Sequence, residues 1–183
     1  GALNRADIVV VTKCPPDMTP MSYRIFEEKL NLFPFQKLYF STFEYGKLIP
    51  VFPGTDARPP SLNALEPGTN ILAVSGIANP RPFVKQLRRS RAKVKLKRFG
   101  DHHNFSSSDT ERITAEFDAL PGNRKFIVTT EKDAVRLRTN PYFPDRLKDK
   151  IFYLPVRVRF IERDDTEFSE CIEKTIRESR LFK

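Results

Sequence analysis

Cysteine, tryptophan and glycine are scarce in this chain of 183 residues, which holds two cysteines, no tryptophan and seven glycines. Cys14 and Cys171 form no CxxC spacing, so a disulfide framework and a zinc site built on cysteine pairs are both excluded. A reducing, cytoplasmic setting suits such a chain. No apolar run approaches the ~18 residues that a membrane-crossing helix needs. No charged-then-apolar segment opens the chain, so no export signal is expected. GxxxxGK[ST], GxGxxG and GxSxG are all absent. These residues therefore cannot cradle a triphosphate in the P-loop manner, and they offer no nucleophile elbow. With 39% apolar and 30% charged residues, the composition is that of a soluble globular chain.

Acidic residues are missing from one segment in particular. The chain carries 32 Lys and Arg against 23 Asp and Glu, a net charge of +9. Residues 81–98 hold Arg81, Lys85, Arg88, Arg89, Arg91, Lys93, Lys95, Lys97 and Arg98 and no acid, so the rest of the chain is balanced. Such a segment attracts phosphates, nucleic acid or an anionic membrane surface. A solvated helix face followed by a lysine-guarded edge strand accounts for it equally well.

Residues 8–11, Ile-Val-Val-Val, read as a buried strand ending in the polar pair Thr12-Lys13. Thr19-Pro20 suits the cap and first position of a helix with Met21, Ile25, Phe26 and Leu30 on one face, stopped by Pro34. Residues 37–41 form a second strand. Pro50, Pro53, Pro59 and Pro60, with Gly46 and Gly54, mark a boundary. A βα rhythm follows: a strand over 71–74, a helix capped by Asn79 with Pro80 at its first position, and a half-buried strand alternating Val94 and Leu96 with Lys93, Lys95 and Lys97. Ser108-x-x-Glu111 fits a capping box for the next helix, and Thr130-x-x-Asp133 fits another after a strand over 126–128. Residues 151–161 are β-like around Pro155, and a last helix spans about 165–179. Strands alternating with helices predict a mostly parallel α/β sheet flanked by helices, an α/β/α sandwich.

Ligands of such sheets bind at the C-terminal strand ends. Four clusters stand there: Thr12-Lys13, Ser75-Gly76, Asp101-His102-His103 and Thr130-Glu131-Lys132-Asp133. Caps, tight turns and solvated loops explain most of them without function. His102 and His103 are the only histidines and lie behind a glycine at a strand end. A histidine there suits proton transfer near neutrality. No second cluster supplies further ligands, so no metal site is expected, and His103 reads better as a satisfied structural residue.

The motifs, taken in order, resemble a known family. Arg5-Ala6-Asp7-Ile-Val-Val-Val-Thr12-Lys13-Cys14-Pro15, Tyr39-Phe40-Ser41, SGIANP at 75–80 with Phe83, Phe99-x-Asp101-His102-His103-x-Phe105 and TEKDAVRL at 130–137 resemble the tetraacyldisaccharide 4′-kinases, or lipid A 4′-kinases. The resemblance runs from about Asn4 to the last helix and fits only the family's C-terminal half. It implies a kinase that uses ATP and Mg²⁺ to phosphorylate the 4′-hydroxyl of a lipid A precursor, tetraacyldisaccharide 1-phosphate. The setting implied is the cytoplasmic face of the inner membrane of a Gram-negative bacterium, with peripheral attachment to an anionic surface. By the same resemblance the phosphate-binding loop, the Mg²⁺ ligands and the catalytic aspartate lie outside this chain, and the isolated chain is expected to be inactive.

The family architecture implies two α/β/α domains joined by a two-stranded β linker. Residues 1–42 and 161–183 would be the remainder of the P-loop kinase-like domain, 43–52 and 151–160 the linker, and 53–150 the second domain. His102 matches the histidine that pairs with the catalytic aspartate, and Asp101 is expected to fix its tautomer. Thr12 and Lys13 stand where P-loop proteins recognise the base. Ser75, Gly76, Asn79 and Thr130, Glu131, Lys132, Asp133 are the strand-end loops. Arg88, Arg89, Arg91, Lys93, Lys95 and Lys97 form the membrane or phosphate patch, with the three lysines directed to solvent. The competing classes are a nucleic-acid-binding module using the basic segment and a non-catalytic interaction domain. Only Phe83 interleaves the bases, so no single-strand stacking platform is evident and no nucleic acid is expected.

Overall fold

The computed structural model describes residues 2–161 and 165–180. Expectations for 162–164 and 181–183 lie outside the described residues. The chain forms two compact units: Gly1–Glu44 with Arg157–Lys183, and Tyr45–Val156 between them.

The first unit carries a sheet in the order β1-β2-β8, from Ile8–Val11 (β1), Lys37–Tyr45 (β2) and Val156–Ile161 (β8). β1 and β2 are parallel, with Val11 opposite Phe40. Adjacent strand residues face opposite ways, and Tyr39 and Phe40 use this to seat a helix each. Phe40 meets Tyr23 and Phe26 of helix α1 (Pro20–Leu30) edge-on, with ring centroids 4.9 and 5.8 Å away. Tyr39 meets Phe168 of helix α5 (Asp165–Arg180) at 5.0 Å. Thr19 caps α1, accepting from the Ser22 amide, with proline at the first turn as the sequence predicts. The buried face differs from the expected one. Tyr23 is buried and Phe26 packs behind it, while Met21 and Ile25 are exposed. α1 carries apolar side chains on two sides, and the aromatic contact with Phe40 selects between them. The helix ends at Asn31, in the left-handed region at φ 45, before Pro34 is reached.

The second unit carries a five-stranded sheet in the order β3-β7-β6-β4-β5. Its strands are Ile49–Pro50 (β3), Asn70–Ser75 (β4), Lys93–Arg98 (β5), Lys125–Thr130 (β6) and Ile151–Leu154 (β7). β5, β4, β6 and β7 are mutually parallel, and β3 pairs antiparallel with β7 through Ile49↔Tyr153 and Pro50↔Phe152. β4 is buried along its whole length and feeds both faces. Leu72 and Val74 join Ile127 and Ile151 under α3 (Ser107–Asp118) and α4 (Glu131–Arg138), meeting Ile113, Phe117 and Leu137. Ile71 and Ala73 join Phe126, Val128 and Phe152 under α2 (Arg81–Arg88), meeting Phe83, Val84 and Leu87. Each fully buried Leu or Ile contributes roughly 1.5–3 kcal/mol. The chain is thus α/β, with mixed sheets and five α-helices among the described residues.

Two caps depart from the predicted positions. α3 starts on Ser106, not Ser108: its hydroxyl accepts from the Asp109 amide, and Asp109 bonds back to the Ser106 amide. The box is therefore Ser106/Asp109, with Asp109 in the place that Glu or Gln usually takes. α2 begins one residue later than expected, with Pro80 in the cap position. Asn79 Oδ1 still accepts from the Arg81 amide at 3.2 Å. The stretch over 151–161 breaks at Pro155 into β7 and β8, because proline has no N–H to donate to a ladder.

Candidate functional site

The chain path of the second unit opens a crevice. From β4 the chain crosses to β5 by way of α2 on one face, then returns to β6 on the other side of β4 by way of α3 on the opposite face. The loops leaving β4 and β6 therefore run to opposite faces, the arrangement in which α/β sheets bind ligands. Three of the four clusters predicted from sequence meet there.

Asp133 is the centre of the meeting point. It lies on the first turn of α4, is fully buried, and accepts from the Gly76 amide at 2.8 Å and the Thr130 hydroxyl at 2.7 Å through Oδ2. Thr130 in turn caps α4, accepting from the Asp133 amide at 3.2 Å. Through Oδ1, Asp133 takes Nη1 of Arg136 at 3.2 Å, one turn along the same helix. Gly76 lies in a close approach of three segments. A Cβ there would lie 3.1 Å from Asp133 Oδ1, 3.3 Å from the Gly100 carbonyl and 3.3 Å from His103 Cβ. Ser75 is buried beside it, Asn79 is exposed at the start of α2, and Glu131 and Lys132 are exposed on the first turn of α4.

The histidines adopt contrasting settings. His102 has φ 55, in the left-handed region that a non-glycine residue enters at a cost of about 1–2 kcal/mol. Its side chain is 67% exposed. Nη2 of Arg136 donates to its Nδ1 at 3.3 Å. The Asp101 carboxylate does not hold the ring: Oδ2 is 4.0 Å from Nε2, beyond hydrogen-bond reach, and Oδ1 accepts the His102 backbone N–H at 3.0 Å. Asp101 therefore shapes the turn, and the ring's polar partner is Arg136.

His103 stacks on Phe99, with centroids 4.9 Å apart, and donates Nε2–H to Asp109 Oδ2 at 2.8 Å. The Ser106 hydroxyl and amide reach the same oxygen at 2.7 and 3.0 Å. Chiefly through Ser106, with His103 adding to it, the Asp109 carboxyl is held down at about 2. Buried Asn140 completes the frame, its amide reaching the Phe105 carbonyl at 2.9 Å and Thr110 Oγ1 at 3.3 Å.

Thr12 and Lys13 belong to the first unit. Both are exposed after β1, with Lys13 at φ 62. The basic segment spans α2 and the edge strand β5. Its three lysines were expected to point to solvent; Lys93 and Lys95 are exposed, and Lys97 is not. Lys95 and Lys97 both pair with Glu116 of α3, at 3.3 and 2.6 Å, and the Lys97 side chain is only 22% exposed. The cause is α3, which covers that side of β5 and brings one acid to two bases. Arg88, Arg89, Arg91 and Lys93 remain exposed, with Arg89 bonded to Gln86 at 3.3 Å.

Arg136, Asp109 and Asn140 were missed as site residues from sequence. Arg136 lies inside the TEKDAVRL run, three residues after Asp133, and that spacing was the available signal. Among the described residues, no group of three or more His, Cys, Asp or Glu could hold a metal ion, and no helix is long and apolar enough to cross a membrane.

This constellation defines an α/β protein whose exposed histidine stands beside the switch point of a mostly parallel sheet, contacted by an arginine that a buried carboxylate holds. Comparison with known proteins narrows the class. The family model described as tetraacyldisaccharide-1-P 4′-kinase matches residues 1–177, and the chain belongs to that family. A tetraacyldisaccharide 4′-kinase of Bacteroides thetaiotaomicron is 42% identical over 182 residues, covering 96% of this chain and 48% of the relative. One from Bacteroides fragilis is 41% identical over 177 residues, covering 96% and 47%. One from Flavobacterium johnsoniae is 33% identical over 177 residues, covering 96% and 46%. The chain thus spans about half the length of the curated relatives it matches. No solved structure matches it.

Proposed function

We infer that this chain supplies the acid–base histidine of a kinase that transfers a phosphoryl group from ATP to the 4′-hydroxyl of a tetraacyldisaccharide 1-phosphate lipid. The observation that carries the reading is His102, exposed beside the switch point with one ring nitrogen engaged by Arg136 and the other free of any hydrogen bond to Asp101. In this role His102 holds a proton on Nε2 and presents it to a carboxylate base, orienting that base toward the sugar hydroxyl. ATP with Mg²⁺ supplies the phosphoryl group and neutralises its charge. The described residues contain neither a phosphate-binding loop nor an acidic metal cluster, so they do not fit that group. Thr12 and Lys13, exposed at the end of β1, are proposed as no more than base-facing neighbours.

The domain reading that accompanies this takes 1–42 and 161–183 as the remainder of a P-loop kinase-like domain, 43–52 and 151–160 as a two-stranded linker, and 53–150 as the second domain. The division into two compact units, with boundaries at 44/45 and 156/157, supports the two domains of this reading, while β3 and β7 of the proposed linker pair within the five-stranded sheet. Attachment to the anionic cytoplasmic face of the inner membrane is proposed for Arg88, Arg89, Arg91 and Lys93, at roughly 1 kcal/mol per base near such a surface.

His102→Ala in the full-length protein tests the reading. It lowers kcat by about 10²–10⁴-fold with a smaller change in KM, and His103→Ala is milder. Equal effects, or a larger one at His103, reject the assignment. Residues 1–183 alone phosphorylate no lipid acceptor, and ATP-dependent labelling by that chain rejects the view that it is only part of the enzyme.

A further inference from the structure

We propose that Arg136 is a positioning residue that fixes the tautomer of His102, through a relay running Gly76–Asp133–Arg136–His102. The proposal rests on the reading of His102 as the acid–base residue.

Hydrogen-bond inventory carries it. A guanidinium has five donors and no acceptor. Its contact with Nδ1, at 3.3 Å, is favourable only when Nδ1 presents a bare lone pair. A neutral ring carries one proton, which must then sit on Nε2. Nε2 is the nitrogen that Asp101 leaves at 4.0 Å, available to an incoming carboxylate.

Arg136 is itself held in place. Its Nη1 binds Asp133 Oδ1, and the fully buried carboxylate is held in turn by the Gly76 amide and the Thr130 hydroxyl. The guanidinium therefore bridges a rigid, buried anchor and an exposed ring. Asp133 and Arg136 lie three residues apart on α4, so one helix face delivers both. The left-handed backbone at His102 belongs to the same device. At φ 55 the residue sits in a conformation that local preference disfavours, so the surroundings must specify it. A carboxylate that accepts the ring N–H is the commoner means of fixing a histidine tautomer. Here the choice is made from the other side, by a donor that the ring can only accept.

The test uses the full-length protein labelled with ¹⁵N-histidine, with His102 signals assigned by their loss in His102→Gln. At a pH where the ring is neutral, Nδ1 of His102 is expected to be the unprotonated, hydrogen-bonded nitrogen. In Arg136→Met the ratio of Nδ1–H to Nε2–H rises about fivefold, the effect of losing one exposed charge-assisted bond. His103, held by Asp109, keeps its signals and reports an intact fold. Guanidinium ion added to Arg136→Ala restores the His102 signature, which a merely structural arginine would not allow. If Arg136→Met loses the His103 signals, Arg136→Gln is read in the same way. An unchanged His102 tautomer in a folded variant overturns the proposal. Kinetics separate it from the reading beneath it. If His102→Ala abolishes turnover while the tautomer ignores Arg136, the relay is wrong and the acid–base role stands. If His102→Ala turns over normally while the tautomer follows Arg136, the acid–base role is wrong and the relay stands.

Discussion

Removing the Asp133 carboxylate probes the crevice more directly than any change to a histidine. In Asp133→Ala three donors lose their acceptor: the Gly76 amide, the Thr130 hydroxyl and Nη1 of Arg136. The helix cap survives, because the Asp133 amide still reaches Thr130 Oγ1. A buried amide left unpaired costs about 1–3 kcal/mol. Breaking a buried ion pair by deleting one partner costs about 3–5 kcal/mol. The two together come to about 4–8 kcal/mol. Arg136 is 22% exposed and regains some water, which moves the total to the lower half, about 4–6 kcal/mol. Asp133→Asn keeps one acceptor for Gly76 and removes the charge, so it should cost about 1–2 kcal/mol. Urea unfolding followed by circular dichroism measures both, with an unchanged slope showing that stability alone has moved. Hydrogen exchange at the Gly76 amide supplies the local readout, since that proton loses its protection in the alanine variant. A cost below about 1 kcal/mol for Asp133→Ala, with Gly76 still protected, refutes the idea that this carboxylate organises the site.

Further outcomes follow from the same geometry. Gly76→Ala places a methyl against Asp133 Oδ1, the Gly100 carbonyl and His103 Cβ, and should destabilise the fold by about 1–3 kcal/mol, read as a lowered Tm. The Asp109 carboxyl is held at about 2 against an ordinary 3.8, so its folded value lies below its unfolded one. Its contribution is therefore complete above about pH 4 and lost as pH falls toward 2, and Ser106→Ala, which removes the largest cause, should flatten the stability curve across that window. Replacing Arg88, Arg89, Arg91 and Lys93 together by Gln should weaken binding to anionic vesicles and reduce its salt dependence. Unchanged partitioning at low salt, or a larger loss toward an oligonucleotide than toward vesicles, rejects the membrane role. Lys97→Gln should instead lower stability, because its ammonium holds the Glu116 carboxyl below its usual range in a half-buried pair.

Local patterns and long-range contacts differed sharply in how well the sequence exposed them. The β-branched run at 8–11, the cap at Thr19 and the alternation around Val94 and Leu96 are short-range signals, and each element forms where it was expected. Thr130-x-x-Asp133 shows the limit. The cap is there, yet the aspartate side chain goes to Gly76, 57 residues away, and nothing within one helical turn encodes that partner. Arg136 gains meaning only once Asp133 is known to be buried. Met21 and Ile25 satisfy a helical period as well as Tyr23 and Phe26 do. Which pair is covered depends on the ring of Phe40 in the neighbouring strand. Lys97 fits a solvent-facing alternation until Glu116 arrives from another helix.

The insertion of the second unit within the first also bears on how the chain folds. Gly46 donates its N–H to the Pro155 carbonyl at 3.0 Å, so the two ends of the inserted unit leave it side by side. β2 and β8 belong to one sheet although the whole insertion separates them in sequence. In an unfolded chain, closing a loop on the order of 100 residues costs about 4 kcal/mol of entropy. Once the inserted unit has folded, that closure is already made, and β8 meets β2 as the end of a short connection. Folding of the five-stranded sheet should thus precede and accelerate the three-stranded one. A slow phase confined to the first unit should lengthen whenever the second is destabilised.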